Sequence, residues 1–147
     1  MHLRREQHPG FYNRGLVLKS ASRRLNLVVA ANLFASTAHF TDNAVRFVLY
    51  PEPRWISSPL VVVALWLAIT PLLLAGWWLA RREHFRLAAG AFGLYSLSSL
   101  FVVGHYAYAP VTTIRLSVHI TIVANALAAL ALMLGAPPLL REMRRSG

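Results

Sequence analysis

His39, His105 and His119 each stand near the end of a different apolar run, and imidazole is the side chain best suited to ligate a metal or pass a proton near neutral pH. Asp42 and Asn43 follow His39 within about one helical turn, and Glu52 lies in a proline-flanked stretch, Tyr50-Pro51-Glu52-Pro53-Arg54-Trp55. Three neutral imidazoles with an open position suit zinc, or iron with carboxylate help. Water on such a metal would become a nucleophile for a lipid-like or periplasmic substrate. Without metal, His39, Asp42 and Glu52 could do acid–base work on an apolar substrate entering from a bilayer. Two of the histidines on facing helices could instead be the axial ligands of a haem b, with Gly104 giving the ring room and Arg115 holding a propionate. The chain has no cysteine, which excludes disulfides, thiolate metal sites and iron–sulfur clusters.

The elements that must position these groups are apolar helices. Of 147 residues, 56% are hydrophobic and only 14% charged, with a mean hydropathy of +0.49. That is too apolar for a soluble domain of this size. Four apolar segments, about 25–48, 59–80, 87–109 and 113–136, approach the ~20 residues that span a ~30 Å hydrocarbon core. Inside lipid every backbone amide must be satisfied within its own segment, so these are helices. Short connections make neighbours antiparallel. The expectation is an all-α polytopic membrane protein, a four-helix transmembrane bundle, with a membrane domain over 25–137, a basic arm over 1–24 and a basic tail over 138–147.

Charge sets the orientation. The formal net charge is +10, which resembles a nucleic-acid signature, but the basic residues sit between the apolar runs and carry no recognisable nucleic-acid module. Twelve of the fifteen flank one side of the spans, and Arg46, Arg54 and Arg115 the other. The positive-inside rule then puts both termini in the cytoplasm. Ser22-Arg23-Arg24-Leu25-Asn26-Leu27 resembles a twin-arginine export signal; the simpler expectation is a basic flank before an uncleaved helix. Phe11, Tyr12, Leu16 and Leu18 among basic residues would let the arm lie on anionic headgroups.

Depth and helical phase bring the chemistry to one end. Asn32, Ser36, His39 and Asn43 recur at four and three residues, a single helical face. Tyr95, Ser98, Val102 and His105 form a similar face, and Arg115 and His119 are one turn apart. At 1.5 Å per residue, His39 lies roughly 22 Å from Arg24, His105 roughly 28 Å from Arg86 and His119 roughly 6 Å from Arg115, all near the outer surface. Ser36, Asn43, Tyr106 and Arg115 are the supporting polar groups. The two prolines around Glu52 stiffen a strap that could fold over the bundle mouth. Tyr50 and Trp55 read most simply as interfacial aromatics, as do Trp77 and Trp78 beside Arg81 and Arg82.

His39-Phe40-Thr41-Asp42-Asn43, the Tyr50–Trp55 strap, Gly104-His105-Tyr106 and His119 together resemble a family of small bacterial four-span membrane proteins. The resemblance covers most of the chain. It implies the fold, a bacterial inner membrane and the same marked residues, but assigns no reaction. Asn125 departs from it, since the resemblance places a carboxylate in that region, and a metal site relying on one would be weaker here.

Three function classes follow. The first is an outer-face site with His39, Asp42 and Glu52 as acid–base groups, or His39, His105 and His119 as ligands of zinc or iron. The second is a haem b electron-transfer protein. The third is a non-catalytic subunit or assembly factor, in which the histidines fix helix register. The expected partners are the lipid bilayer, other membrane subunits or further copies of the chain, and no nucleic acid.

Overall fold

The structure, a computed structural model, describes residues 9–146, with side chains from residue 16. Among them the fold is all-helical. Helix α1 is Pro9–Val45, α2 Pro59–Arg81, α3 Phe85–Leu100, α4 His105–Tyr108 and α5 Leu116–Ser146; short 3₁₀ turns occupy Phe47–Leu49, Phe101–Gly104 and Val111–Thr113. Three helical segments, Pro59–Arg81, Phe85–Tyr108 and Leu116–Ser146, are long and apolar enough to cross a membrane. The chain is therefore built as a membrane protein.

Two long helices, α1 and α5, form the spine. Ala21, Leu25, Val29, Asn32, Ser36, His39 and Asn43 are buried along α1. On α5 the buried residues include Val118, Ile122, Asn125, Ala129, Leu132, Ala136, Leu139 and Met143. These positions recur at intervals of three and four, the spacing that keeps one stripe facing one partner along its whole length. The helices run antiparallel: Arg24 Nη2 meets the Glu142 carboxylate at 2.8 Å near one end, and Arg46 Nη1 donates to the Ser117 hydroxyl at 3.1 Å near the other. Midway, the Asn32 amide donates to the Ala128 carbonyl at 2.8 Å. A polar residue in such a seam sets register, because only one alignment satisfies it.

Helices α2 and α3 form an antiparallel hairpin against the spine. The turn is tight, with Glu83 at φ 64°, and Arg81 and Arg82 stack on the Trp77 and Trp78 rings at 5.8 and 5.3 Å. The helices approach closely at Gly76, where an added Cβ would lie 2.7 Å from the Phe92 ring. Inside α2, Pro71 withdraws a backbone donor, and Thr70 turns its hydroxyl back on the Trp66 carbonyl at 2.7 Å.

Three boundaries differ from the sequence expectation. Residues 9–24 of the expected arm continue α1 as one helix, and Ala21 is buried; residues 1–8 lie outside the described part. Likewise α5 runs through Pro137 and Pro138 to Ser146, taking in the expected tail. Burial of Leu139, Leu140 and Met143 outweighs the local cost of the two prolines. Finally, the third segment is not one regular helix: it tightens to 3₁₀ at Phe101–Gly104 before His105, an irregularity that often marks a working site.

Candidate functional site

The site is at the end of the bundle that carries the proline strap. The α-helical hydrogen bonding of α1 closes at Arg46, whose N–H reaches the Asp42 carbonyl at 2.9 Å. The chain then turns through Phe47–Leu49 and enters the strap with Tyr50 buried. Two prolines hold Glu52 in extended backbone, and its side chain turns inward to 7% exposure. There it accepts a hydrogen bond from the Asn43 amide and lies 3.7 Å from His105 Nδ1, itself in a side chain 9% exposed. His105 Nδ1 also lies 3.1 Å from the Pro51 carbonyl. A carbonyl can only accept, so Nδ1 carries the proton and Nε2 of the neutral ring is the basic nitrogen.

Behind this pair, His39 is 2% exposed, with its ring 5.6 Å from that of His105 and 5.7 Å from that of Tyr50. The Tyr50 and His105 rings are 5.3 Å apart, so the three form one aromatic cluster. The Tyr50 hydroxyl donates to Asp42 at 2.7 Å and lies 2.8 Å from the Thr121 hydroxyl. Burial pushes that phenol above its usual range, which keeps it a donor.

A cavity of about 480 Å³ adjoins the pair. Asn43, Glu52 and His105 line it together with Ser98 and Ser99 of α3, while Val62, Leu65 and Ile69 of α2 form an apolar wall. This size and chemistry, apolar walls with a few converging polar groups, are those of a small-molecule site.

The remaining expected residues separate into two other groups. Asp42 turns to Tyr50 and Arg46: its carboxylate takes the Tyr50 hydroxyl and the Arg46 Nε at 3.2 Å, and those two side chains reach Thr121 and Ser117 of α5. It works as a latch between α1, the strap and α5, away from the Glu52–His105 pair. His119 is stacked on Tyr106 with ring centroids 5.4 Å apart. Its Nε2 donates to the Val111 carbonyl at 3.0 Å, and its Nδ1 accepts from the Tyr106 hydroxyl at 3.0 Å. Both nitrogens are thus engaged in tying the loop after α4 to α5. Arg115 is exposed at the start of α5, where its backbone carbonyl accepts from Val118 and His119. Ser36 is buried, its hydroxyl on the Leu33 carbonyl at 3.3 Å.

These placements bear on metal and haem. A shared metal needs several ligands converging on one point, and among the described residues no three histidine, aspartate or glutamate side chains are so grouped. A haem clasp needs two imidazoles facing each other across a macrocycle. His39 and His105 are instead direct ring neighbours, tilted by 55°.

Sequence reasoning passed over Ser96 and Ser99, and it marked Asn125 only as a departure from the family resemblance. Each is buried, and the Ser96 and Ser99 hydroxyls and both polar atoms of the Asn125 amide have no partner among the described residues. His39 Nδ1 and the Asn43 carbonyl oxygen share that condition. Contacts fix their level. Asn32 meets Ala128 of α5 and, through its backbone carbonyl, the Tyr95 hydroxyl of α3. About one turn nearer the strap on each helix come Ser36, Ser99 and Asn125. Buried polar atoms are ordinarily satisfied, so this level has an unusual density of unspent hydrogen-bonding capacity beside the histidine pair. The clue in the sequence was available: three short polar residues inside apolar runs, two on α3 and one on α5, both helices already expected to line an interior. Comparison with protein-family models, with curated proteins and with solved structures finds no match to the chain.

Proposed function

We propose that this protein binds a small amphipathic, lipid-like molecule in the cavity beside Glu52 and His105 and exchanges a proton with it there. The observation that carries the reading is the inward-turned carboxylate–imidazole pair on the edge of an apolar-walled cavity. Taking two ionisable groups out of water is costly, and within a membrane protein such groups mark function by default. In this reading His105 Nε2 takes the proton. The Pro51 carbonyl holds the ring through its Nδ1–H, Glu52 stabilises the imidazolium from 3.7 Å, and Asn43 holds Glu52. His39 and Tyr50 pack the imidazole in place. The ligand's apolar body lies along Val62, Leu65 and Ile69, with its polar head toward Ser98, Ser99 and His105.

We further infer four membrane crossings in a bacterial inner membrane, both termini on the cytoplasmic side. The skew of basic residues supports this orientation. In this arrangement α1 is the fourth span, with its polar face covered by α5, and the cavity opens toward the outer half of the bilayer.

The test is mass spectrometry of the organic extract and of the metal content of detergent-purified protein. A near-stoichiometric amphipathic compound is expected, depleted about tenfold or more in Leu65→Trp, which fills the cavity. Absence of any such compound from the wild type overturns the reading. Stoichiometric zinc or iron lost on replacing His39 or His105 overturns its metal-free form.

A further inference from the structure

The end of the bundle opposite the cavity holds a second concavity with different chemistry. It is a groove of about 730 Å³ where the N-terminal part of α1, the α2–α3 turn and the last turns of α5 meet. Lys19 and Arg23 reach it from α1, Arg81 from the turn and Arg144 from α5. Among the described residues Glu83 is the one carboxylate on its wall. Glu142, near the same end, is already bound by Arg24. Among the described residues none of the four cations has a carboxylate within salt-bridge distance.

Four like charges from three separate elements repel one another, and among the described residues Glu83 is the one carboxylate on the groove, outside salt-bridge distance of all four. The floor between them is apolar: Leu18, Phe85, and the buried Ala80 and Met143. Ser22 and Asn26 add short polar groups along the same α1 face as Lys19 and Arg23. The Asn26 side-chain oxygen accepts from the Trp77 indole N–H at 2.9 Å, and the Trp77 ring carries Arg81 above it. The groove is therefore a braced structure with a cationic rim over an apolar floor.

From this we infer that the groove is a site for the phosphate head of an anionic phospholipid. The oxyanion would be shared by Lys19, Arg23, Arg81 and Arg144, and the first carbons of the lipid would lie on Leu18 and Phe85. Basic pockets between membrane helices recognise anionic lipid headgroups by this combination of charge and apolar surface, and arginine's planar fork matches phosphate oxygens in pairs. A plain positive-inside flank needs only the number of charges at this end. The groove adds convergence, and it sits beside Trp77 and Trp78, the residue type that settles at headgroup level. By bridging three elements, a bound lipid would clamp the hairpin to the α1–α5 spine.

The experiment uses the full chain in nanodiscs of phosphatidylcholine and phosphatidylglycerol in equal parts, with native mass spectrometry of the lipid retained on release. The wild type should retain phosphatidylglycerol in clear preference. Arg23→Gln with Arg144→Gln should lower that preference by about tenfold or more, since each basic residue near a lipid surface contributes several-fold. Arg86→Gln with Arg145→Gln removes the same charge from the same end outside the groove, and should change it less than about twofold. Equal losses in the two double variants would reduce the effect to surface charge and overturn the site, as would a wild type with no preference. Excess inorganic phosphate should displace little phosphatidylglycerol, because it cannot use the apolar floor. Complete displacement would overturn the lipid assignment in favour of free phosphate.

Discussion

The two halves of the α1–α5 seam share one spacing and differ in what they bury. Toward the basic end the stripe holds Ala21, Leu25, Val29, Leu132, Ala136 and Met143, closed by Leu73, Phe92 and Ala88 of the hairpin into one apolar cluster. Toward the strap it holds Ser36, His39, Asn43 and Asn125, several of their polar atoms without partners, and the adjoining apolar cluster is small: Tyr50, Val102, Ile114, Val118 and Ile122. One half is packed as a membrane-protein interior needs for stability, by close contact between small and large side chains. The other gives up that packing for polar groups and a cavity. Stability therefore resides in the packed half and chemistry in the strap half, and substitutions in the two halves should behave oppositely.

The largest expected effect is on chemistry in the strap half. Glu52→Gln keeps a side chain able to accept from Asn43 but removes the charge facing His105. Proton exchange with the bound compound should fall by about 10²- to 10⁴-fold, the scale of losing a positioned acid–base partner, with the thermal midpoint in detergent little changed. A loss of folding in place of activity would make Glu52 a structural strap residue.

Next comes the packed half. Gly76→Ala drives a methyl into the Phe92 ring, which is fully buried and has nowhere to move. It should destabilise by about 1–3 kcal/mol, the usual cost of overpacking, with ligand occupancy unchanged once folded. An unchanged thermal midpoint would show that the hairpin is loose there.

Smaller, and opposite in sign, is Asn125→Leu. Removing an unpartnered buried amide for an apolar group of similar volume should stabilise by about 1 kcal/mol or more, while lowering ligand occupancy. Stability gained with function lost would sharpen the contrast between the halves; stability lost would mean that the amide is satisfied in the membrane and belongs to the packing. Smallest is Arg24→Ala. The Arg24–Glu142 pair is half-exposed, and such pairs contribute about 1 kcal/mol or less. Thermal unfolding at low and high salt checks this: the variant should fall slightly below the wild type at low salt and meet it at high salt.

Much of this arrangement was legible in the sequence because lipid makes polar side chains conspicuous. His39, Asn43 and His105 stand out in apolar runs at helical spacing, and the prolines around Glu52 announce a stiff strap. Azimuth was less legible than depth. His119 and Asp42 lie near the level of the pair, but their hydrogen bonds turn them toward Tyr106 and Val111 in one case and toward Tyr50 and Arg46 in the other. Spacing along one helix says nothing about which neighbour a face meets. Tyr50 reads as an interfacial aromatic and is instead 5% exposed, because the 3₁₀ turn before it swings the ring under the strap. Pro137 and Pro138 read as a helix end, and only the tertiary burial of Leu139, Leu140 and Met143 carries α5 past them.

The most direct test of the central claim is carbodiimide labelling of the full chain in bilayers, followed by peptide mapping. The apolar dicyclohexylcarbodiimide enters lipid-accessible cavities, whereas a water-soluble carbodiimide attacks exposed carboxyls. The apolar reagent should modify Glu52, with the reaction suppressed in Leu65→Trp, and the water-soluble one should modify exposed Glu83 in its place. Glu52 inert to the apolar reagent, or modified equally by both and indifferent to Leu65→Trp, would contradict an apolar cavity with a carboxylate at its edge.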